Sequence, residues 1–488
     1  MALSIVVRSG DALAARADAL VLPVYAGEGA PAGLDAKFDG HLAPLLEAAR
    51  FTGKRGEALA APTFGRLPAR WLVLAGLGER AAADGEALRR AYGAAVKRAR
   101  DEGARTVAAA VPAGVDAGGI QAIVEGAALA LYRFTRYKTG EAASPAKDVE
   151  AVELWAADGA DAGEALARGL AVAAGVALAR DLVNTISDDK TPPQIAAWVE
   201  RVAREAELGY RVLDRAALAA GGYNAILAVG KGSAAEPRLI ELTYEPAGGA
   251  TRTVALVGKT ITFDSGGLDL KTQDGMYSMK TDMAGGAAVL GAMYAIAALQ
   301  PNVKVIGLMT AAENMPSGSS MRPSDVVRAL NGKTFEIGNT DAEGRMVLAD
   351  AVTHAARAGA DEIVDLATLT GAKVVALGNT AVAAIGNDQG LIDRLLRAAA
   401  DAGERVWQLP SWDEYKDQLK SDIADLKSTG GRGAGAITAA LFIGHFVEGK
   451  PWVHLDIAGS AATDTEQPYT PKGATGVMVR TLVQFVGE

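Results

Sequence analysis

Two carboxylates two residues apart, Asp341 and Glu343, lie in the run Gly338-Asn339-Thr340-Asp341-Ala342-Glu343-Gly344-Arg345. The i, i+2 spacing turns both side chains to one side when the backbone is extended, whereas on a helix they diverge by about 200°. Asp341 and Glu343 are therefore expected on a loop, where together they could hold a cation, with Gly344 freeing the backbone to turn into the next helix. A second window carries Lys259, Asp264, Lys271 and Asp282. Each acid alone reads equally well as a helix cap or half of a surface ion pair. Gathered in one pocket, Asp264, Asp282, Asp341 and Glu343 would repel one another unless cations neutralised them, and two divalent ions would balance the set. Such a pair can activate a water held between the ions and polarise a carbonyl. Lys271 and Arg345 add positive charge where an oxyanion would develop. The chain has four histidines, His41, His354, His445 and His454, none inside either window. Oxygen-rich ligation without histidine favours Mn²⁺ or Mg²⁺, although Zn²⁺ also accepts carboxylates.

Positioning these groups calls for α/β alternation. Apolar runs at Ala19–Pro23, Trp71–Ala75, Thr106–Ala110 and Val152–Trp155 read as strands, with helical patterns near 85–102 and 119–134. The glycine-containing junction Ala157–Gly163 sets the expected boundary between a smaller N-terminal α/β domain, 1–160, and a larger catalytic one, 161–488. The second part offers strands at Thr253–Gly258, Val303–Thr310, Glu362–Thr370, Val382–Ile385 and Trp452–Ile457, with helices between them, notably Ala284–Leu299 and Met346–Ala358. Its central sheet should be mixed but mainly parallel. Ligands bind beyond the carboxyl ends of such strands, and Lys259, Asp264 and Thr368–Gly371 fall there.

Composition narrows the class. The chain has 488 residues, enough for two domains, with 50% apolar and 5% aromatic residues. A net charge of -9 disfavours nucleic acid or anionic membrane as the main partner. With no cysteine, thiolate sites and disulfides are excluded. The first residues read as a strand and not a signal peptide. The longest apolar stretch, near 169–179, looks too short for the roughly 20 residues of a membrane span.

The two windows resemble the signatures of the leucine aminopeptidase family (cytosol aminopeptidases, peptidase family M17). Asn339–Arg345 matches its hallmark at each position, and Gly258–Gly267 with Lys271 and Asp282 matches its second motif except at Thr260, where glycine is usual. The likeness runs from about Leu178 to the end, through Ala367–Gly378 and His454–Gly459, and is weak over the first 160 residues. The resemblance implies a macro-like first domain and a cytoplasmic two-metal exopeptidase that releases leucine and other apolar residues from peptides with a free N-terminus. It implies metal ligation by Lys259, Asp264, Asp282, Asp341 and Glu343, with Mn²⁺ first and Zn²⁺ as the alternative. Lys271 would polarise the scissile carbonyl, and Arg345 would hold a bicarbonate acting as general base. Met279, Thr368, Gly371 and Ala458 would line the side-chain pocket, which the small Ala461 could widen. A homo-hexamer is expected, and no membrane.

A DNA-binding regulator is the second reading, through a basic stripe at Arg89, Arg90, Lys97, Arg98 and Arg100 in a near-neutral first domain. A nucleotide or NAD enzyme fails on its motifs. Gly258-Lys259-Thr260 lacks the first glycine of a phosphate loop, Gly76-Leu77-Gly78 lacks the third of a dinucleotide fingerprint, and Lys427–Gly435 reads as a close-packed loop near the site or a subunit interface.

Overall fold

The computed structural model describes residues 3–31, 33–144, 148–156 and 162–488. The expected domain junction at 157–161 lies outside them. Contacts divide the chain into two compact units, 1–173 with 464–472, and 174–463 with 473–488. The division falls inside the long alanine-rich helix Gly163–Asn184.

The first unit is built on a six-stranded sheet, in the order Ser4–Ser9, Ala151–Ala156, Thr106–Ala110, Ala19–Tyr25, Trp71–Gly78, Ala58–Pro62. All neighbours run parallel except the edge strand Ala58–Pro62. Helix Gly85–Asp101 starts where the Asp84 carboxylate accepts from the Ala87 N–H, satisfying a first-turn donor. Each member of the basic stripe on this helix is paired with an acid. Arg89 is 3% exposed and paired with Glu86 and Glu125; Arg90 pairs with Glu86, Lys97 with Glu466, Arg98 with Glu102 and Arg100 with Asp101. Charges so paired are partly neutralised, which weighs against a strong phosphate interaction there.

The second unit holds an eight-stranded mixed sheet. Four adjacent, mutually parallel strands form its centre: Lys304–Asn314, Thr253–Asp264, Glu362–Ala367 and Trp452–Asp456. The strand beginning at Thr253 is longer than its apolar run suggested. Thr260, Ile261 and Thr262, β-branched and fully buried, carry it on to Asp264. Lys259 therefore lies within the strand, opposite Thr310, and not beyond its end.

The helical run 273–299 is long and apolar enough to cross a membrane, with mean hydropathy 1.5, which corrects the reading that no stretch approaches that length. Its apolar window is 78% buried inside the protein, as expected of a core helix. Gly285, on the first turn of helix Ala284–Leu299, shows how closely that helix sits: a Cβ there would collide with the Leu366 carbonyl oxygen.

Candidate metal centre

The carboxyl ends of the four parallel strands bring the two sequence windows together. Asp264 closes one strand, and Thr368 follows the strand ending at Ala367. Asp282 caps a short 3₁₀ turn, Met279–Thr281, just ahead of helix Ala284–Leu299. Asp341 lies on the 3₁₀ turn Thr340–Ala342, and Glu343 is the first residue of helix Glu343–Arg357. The backbone at this pair is thus a tight turn and not an extended loop. Even so, one carboxylate oxygen from each of Asp264, Asp341 and Glu343 lies within 4.8 Å of the others.

Lys259 Nζ sits 2.9 Å from Asp282 Oδ1 and 2.7 Å from Glu343 Oε1, and donates to the Thr368 carbonyl oxygen at 3.0 Å. Lys271 Nζ is 2.8 Å from Asp264 Oδ2 and also pairs with Asp341. Lys259, Asp264, Asp282 and Glu343 are each at most 4% exposed. Burial opposes the charge of both lysines, but the surrounding acids outweigh it and hold each ammonium above its usual range. The carboxyls of Asp282, Asp341 and Glu343 are pushed up, first by burial and then by Asp264 among their neighbours.

Gly344 has a role other than turning the chain: a Cβ there would stand 2.7 Å from Lys259 Cδ, Cε and Nζ. Its missing side chain is the channel through which Lys259 reaches Glu343. Arg345 is 9% exposed, and its Nη1 donates to the Ser428 carbonyl oxygen at 3.0 Å, so the glycine-rich segment starting at Lys427 touches this arginine. Burial brings the Arg345 guanidinium down to about 10, against the pull of Glu343, Asp456 and Asp341.

The residues expected to shape a side-chain pocket flank the cluster. Thr368 Oγ1 donates to Asp282 Oδ1 at 2.7 Å, and the Asp282 N–H donates to the Met279 carbonyl oxygen at 3.2 Å. Gly371 begins helix Gly371–Leu377, and the Ala458 N–H reaches Asp456 Oδ1 at 3.1 Å. Ala461 is buried.

Sequence reasoning missed several groups that hold this arrangement. Asn314 Nδ2 donates to Asp264 Oδ1 at 2.9 Å and to the Thr340 carbonyl oxygen at 3.0 Å, joining the windows. Asp269 Oδ2 accepts from the Thr340 N–H at 2.7 Å. Asp456 anchors Leu369, Thr370 and Ala458. The available signal was a polar residue ending an otherwise apolar strand run, at both Asn314 and Asp456.

Four acids against two lysines leave this buried cluster with excess negative charge. Among the described residues Asp282 Oδ2 has no hydrogen-bond partner, an expensive state for a buried carboxylate oxygen. An unsatisfied oxygen beside three converging carboxylates fits divalent cations. Fold and site together define an α/β protein built around a carboxylate-rich cation centre.

Family models agree with that class. The model of the cytosol aminopeptidase catalytic domain matches residues 177–483, and that of the family's N-terminal domain matches residues 21–141. The probable cytosol aminopeptidase of Roseiflexus castenholzii is 44% identical over 490 residues, 99% of each chain. That of Alkaliphilus oremlandii is 43% identical over 482 residues, 96% of each. Among solved structures, the bottromycin maturation enzyme BotP in complex with Mn aligns with a TM-score of 0.87 at 36% identity, covering 96% of this chain and 99% of that one. The chain belongs to the cytosol aminopeptidase family and is a metal-dependent peptidase.

Proposed function

We propose that this protein is a two-metal aminopeptidase that releases N-terminal residues, leucine and other apolar ones first, from peptides with a free α-amine. The observation that carries the reading is the convergence of Asp264, Asp341 and Glu343 within 4.8 Å, beside the unsatisfied Asp282 Oδ2. Lys259, Asp264, Asp282, Asp341 and Glu343 would hold the two ions. Manganese is the first choice, supported by the solved relative in complex with Mn, and zinc is the alternative. Bound there, the metals supply an activated water and a polarised carbonyl.

The chain's own groups do the rest. Lys271, steered by Asp264 and Asp341, places an ammonium beside the scissile carbonyl. Arg345, fixed through Ser428 and with its buried Nε lacking a partner, offers a fork for a bicarbonate that takes the proton from water. Met279, Thr368, Gly371 and Ala458 receive the substrate's first side chain. The catalytic domain spans 161–488 and the N-terminal domain 1–160. Hexameric assembly and a cytoplasmic location complete the reading.

The test is dialysis against chelator followed by hydrolysis of leucine p-nitroanilide while Mn²⁺, Zn²⁺, Co²⁺ and Mg²⁺ are titrated. Activity should vanish and return with metal, and an N-acetylated substrate should resist cleavage. Full activity after chelation, or equal cleavage of the blocked substrate, would sink the reading.

A further inference from the structure

We infer that Asp456 and Lys373 are positioning residues that clamp Ala458 from both sides and thereby set the width of the side-chain pocket. The inference rests on the aminopeptidase reading above and names what tunes its selectivity.

Both side chains are fully buried. Asp456 closes strand Trp452–Asp456, and its Oδ1 accepts from the Leu369 and Ala458 N–H groups, each at 3.1 Å. Its Oδ2 accepts from Thr370 Oγ1 at 2.6 Å. Lys373 comes from the helix that Thr370 caps, its own N–H donating to Thr370 Oγ1 at 3.0 Å. Lys373 Nζ then donates to the Ala458 carbonyl oxygen at 2.7 Å, the Gly378 carbonyl oxygen at 3.0 Å and Ser460 Oγ at 2.9 Å. Ala458 is therefore gripped by its N–H through a buried anion and by its C=O through a buried cation.

The same carboxylate also holds the segment after Thr368. Leu369 and Thr370 follow Thr368, whose hydroxyl reaches Asp282 and whose carbonyl reaches Lys259. Ala458 is thus tied through one buried carboxylate to Leu369–Thr370, the segment next to Thr368, which is itself bonded to the metal centre. Gly459, at φ +73°, locks the turn after Ala458, since a Cβ there would strike the Asn379 side-chain oxygen. Burying two ionised groups to hold one alanine peptide is costly unless each is fully hydrogen-bonded, as both are here. Such rigidity matters for selectivity because one methylene in an apolar pocket is worth about 10–200-fold.

The experiment compares Asp456→Asn, Lys373→Met and Thr370→Val with wild type as Mn²⁺-loaded proteins. It measures kcat and KM on leucine and glycine p-nitroanilide, bound metal and thermal melting. Asparagine at 456 keeps one acceptor oxygen and turns an amide donor toward existing donors. For Asp456→Asn and Lys373→Met, the leucyl-to-glycyl ratio of kcat/KM should fall by about 10-fold or more, mainly through the leucyl KM, with metal content unchanged. Thr370→Val removes the bond to Asp456 and the cap on the Lys373 N–H but leaves both charged groups in place, and should shift the ratio less, in the same direction; it decides the matter if the charged-site variants do not fold. A wild-type ratio in the folded variants, or an equal fall on both substrates, would overturn the clamp and leave the aminopeptidase reading standing. If wild type releases neither amino acid, that reading fails and the clamp falls with it.

Discussion

Each unit buries a cluster of charges, and only one of the clusters balances. In the first unit Arg89 faces Glu86 and Glu125, Arg90 adds a second bond to Glu86, and the Gln121 amide and the Tyr469 hydroxyl donate to the same two acids. Two cations meet two anions. In the second unit four carboxylates meet two lysines, burial and mutual repulsion push Asp282, Asp341 and Glu343 upward, and an Asp282 oxygen has no partner. The first cluster is complete as folded and needs nothing from outside. The second is arranged for a ligand that the chain does not supply. Burial of charge alone does not mark a functional site; an unbalanced sum does.

The largest effect should come from emptying the unbalanced cluster. Lys259→Ala, Asp264→Ala and Glu343→Ala should each lower kcat on leucine p-nitroanilide by on the order of 10³-fold or more. Near-normal turnover in any one of them would remove that residue from the centre. Breaking the balanced cluster should act on stability instead. Glu125→Gln leaves Arg89 buried with half its compensation, at about 3–5 kcal/mol, read by denaturant unfolding. Replacing both partners, Arg89→Met with Glu125→Leu, should recover most of that loss. A double variant as unstable as the single one would show that the pair does more than satisfy itself.

Gly344→Ala sharpens the contrast at intermediate size. The added methyl would meet the Lys259 side chain 2.7 Å away, so the lysine must leave Glu343 or the helix must shift. Overpacking of this kind costs about 1–3 kcal/mol. Manganese affinity, measured by calorimetry, should fall along with stability; unchanged affinity would mean that Lys259 has another route into the site.

These contrasts also show what the sequence could reveal. The acids and lysines of the centre were legible because they fall in two short windows whose residue types repel unless neutralised. The parallel strands were legible as β-branched and apolar runs, though not their ends: Thr260–Asp264 is half polar, and only burial beneath helix Ala284–Leu299 shows that it continues the strand. The turn at Asp341 was misread because i, i+2 geometry assumes regular backbone, whereas a 3₁₀ turn and the longer Glu343 arm reach the same convergence. The acidic partners of the basic stripe were not legible because Glu125 and Glu466, which pair with Arg89 and Lys97, come from distant parts of the chain. Asn314 and Asp456 stayed hidden for a similar reason, since single polar residues at strand ends acquire partners only when the sheet assembles.

The smallest expected effect concerns a lone group with no opposing charge. His445 follows helix Gly435–Gly444, and its buried Nε2 has no partner among the described residues. Burial, with Lys333 and Lys416 nearby, lowers its pKa from 6.5 to about 4. Between these two values the unfolded chain binds a proton that the folded one refuses, so stability is complete above about pH 6.5 and declines as pH falls toward 4. The ring is partly solvated, so screening should reduce the effect to about 1 kcal/mol. His445→Gln, neutral throughout, should lack this component. The stability of wild type relative to His445→Gln, from urea unfolding at intervals between pH 4 and 7, should therefore drop on acidification. The carboxylates of the metal centre titrate in both proteins and cancel in that difference. A difference flat with pH would mean that His445 takes up its proton as readily in the folded chain as in the unfolded one, so that neither burial nor the two lysines oppose its charge.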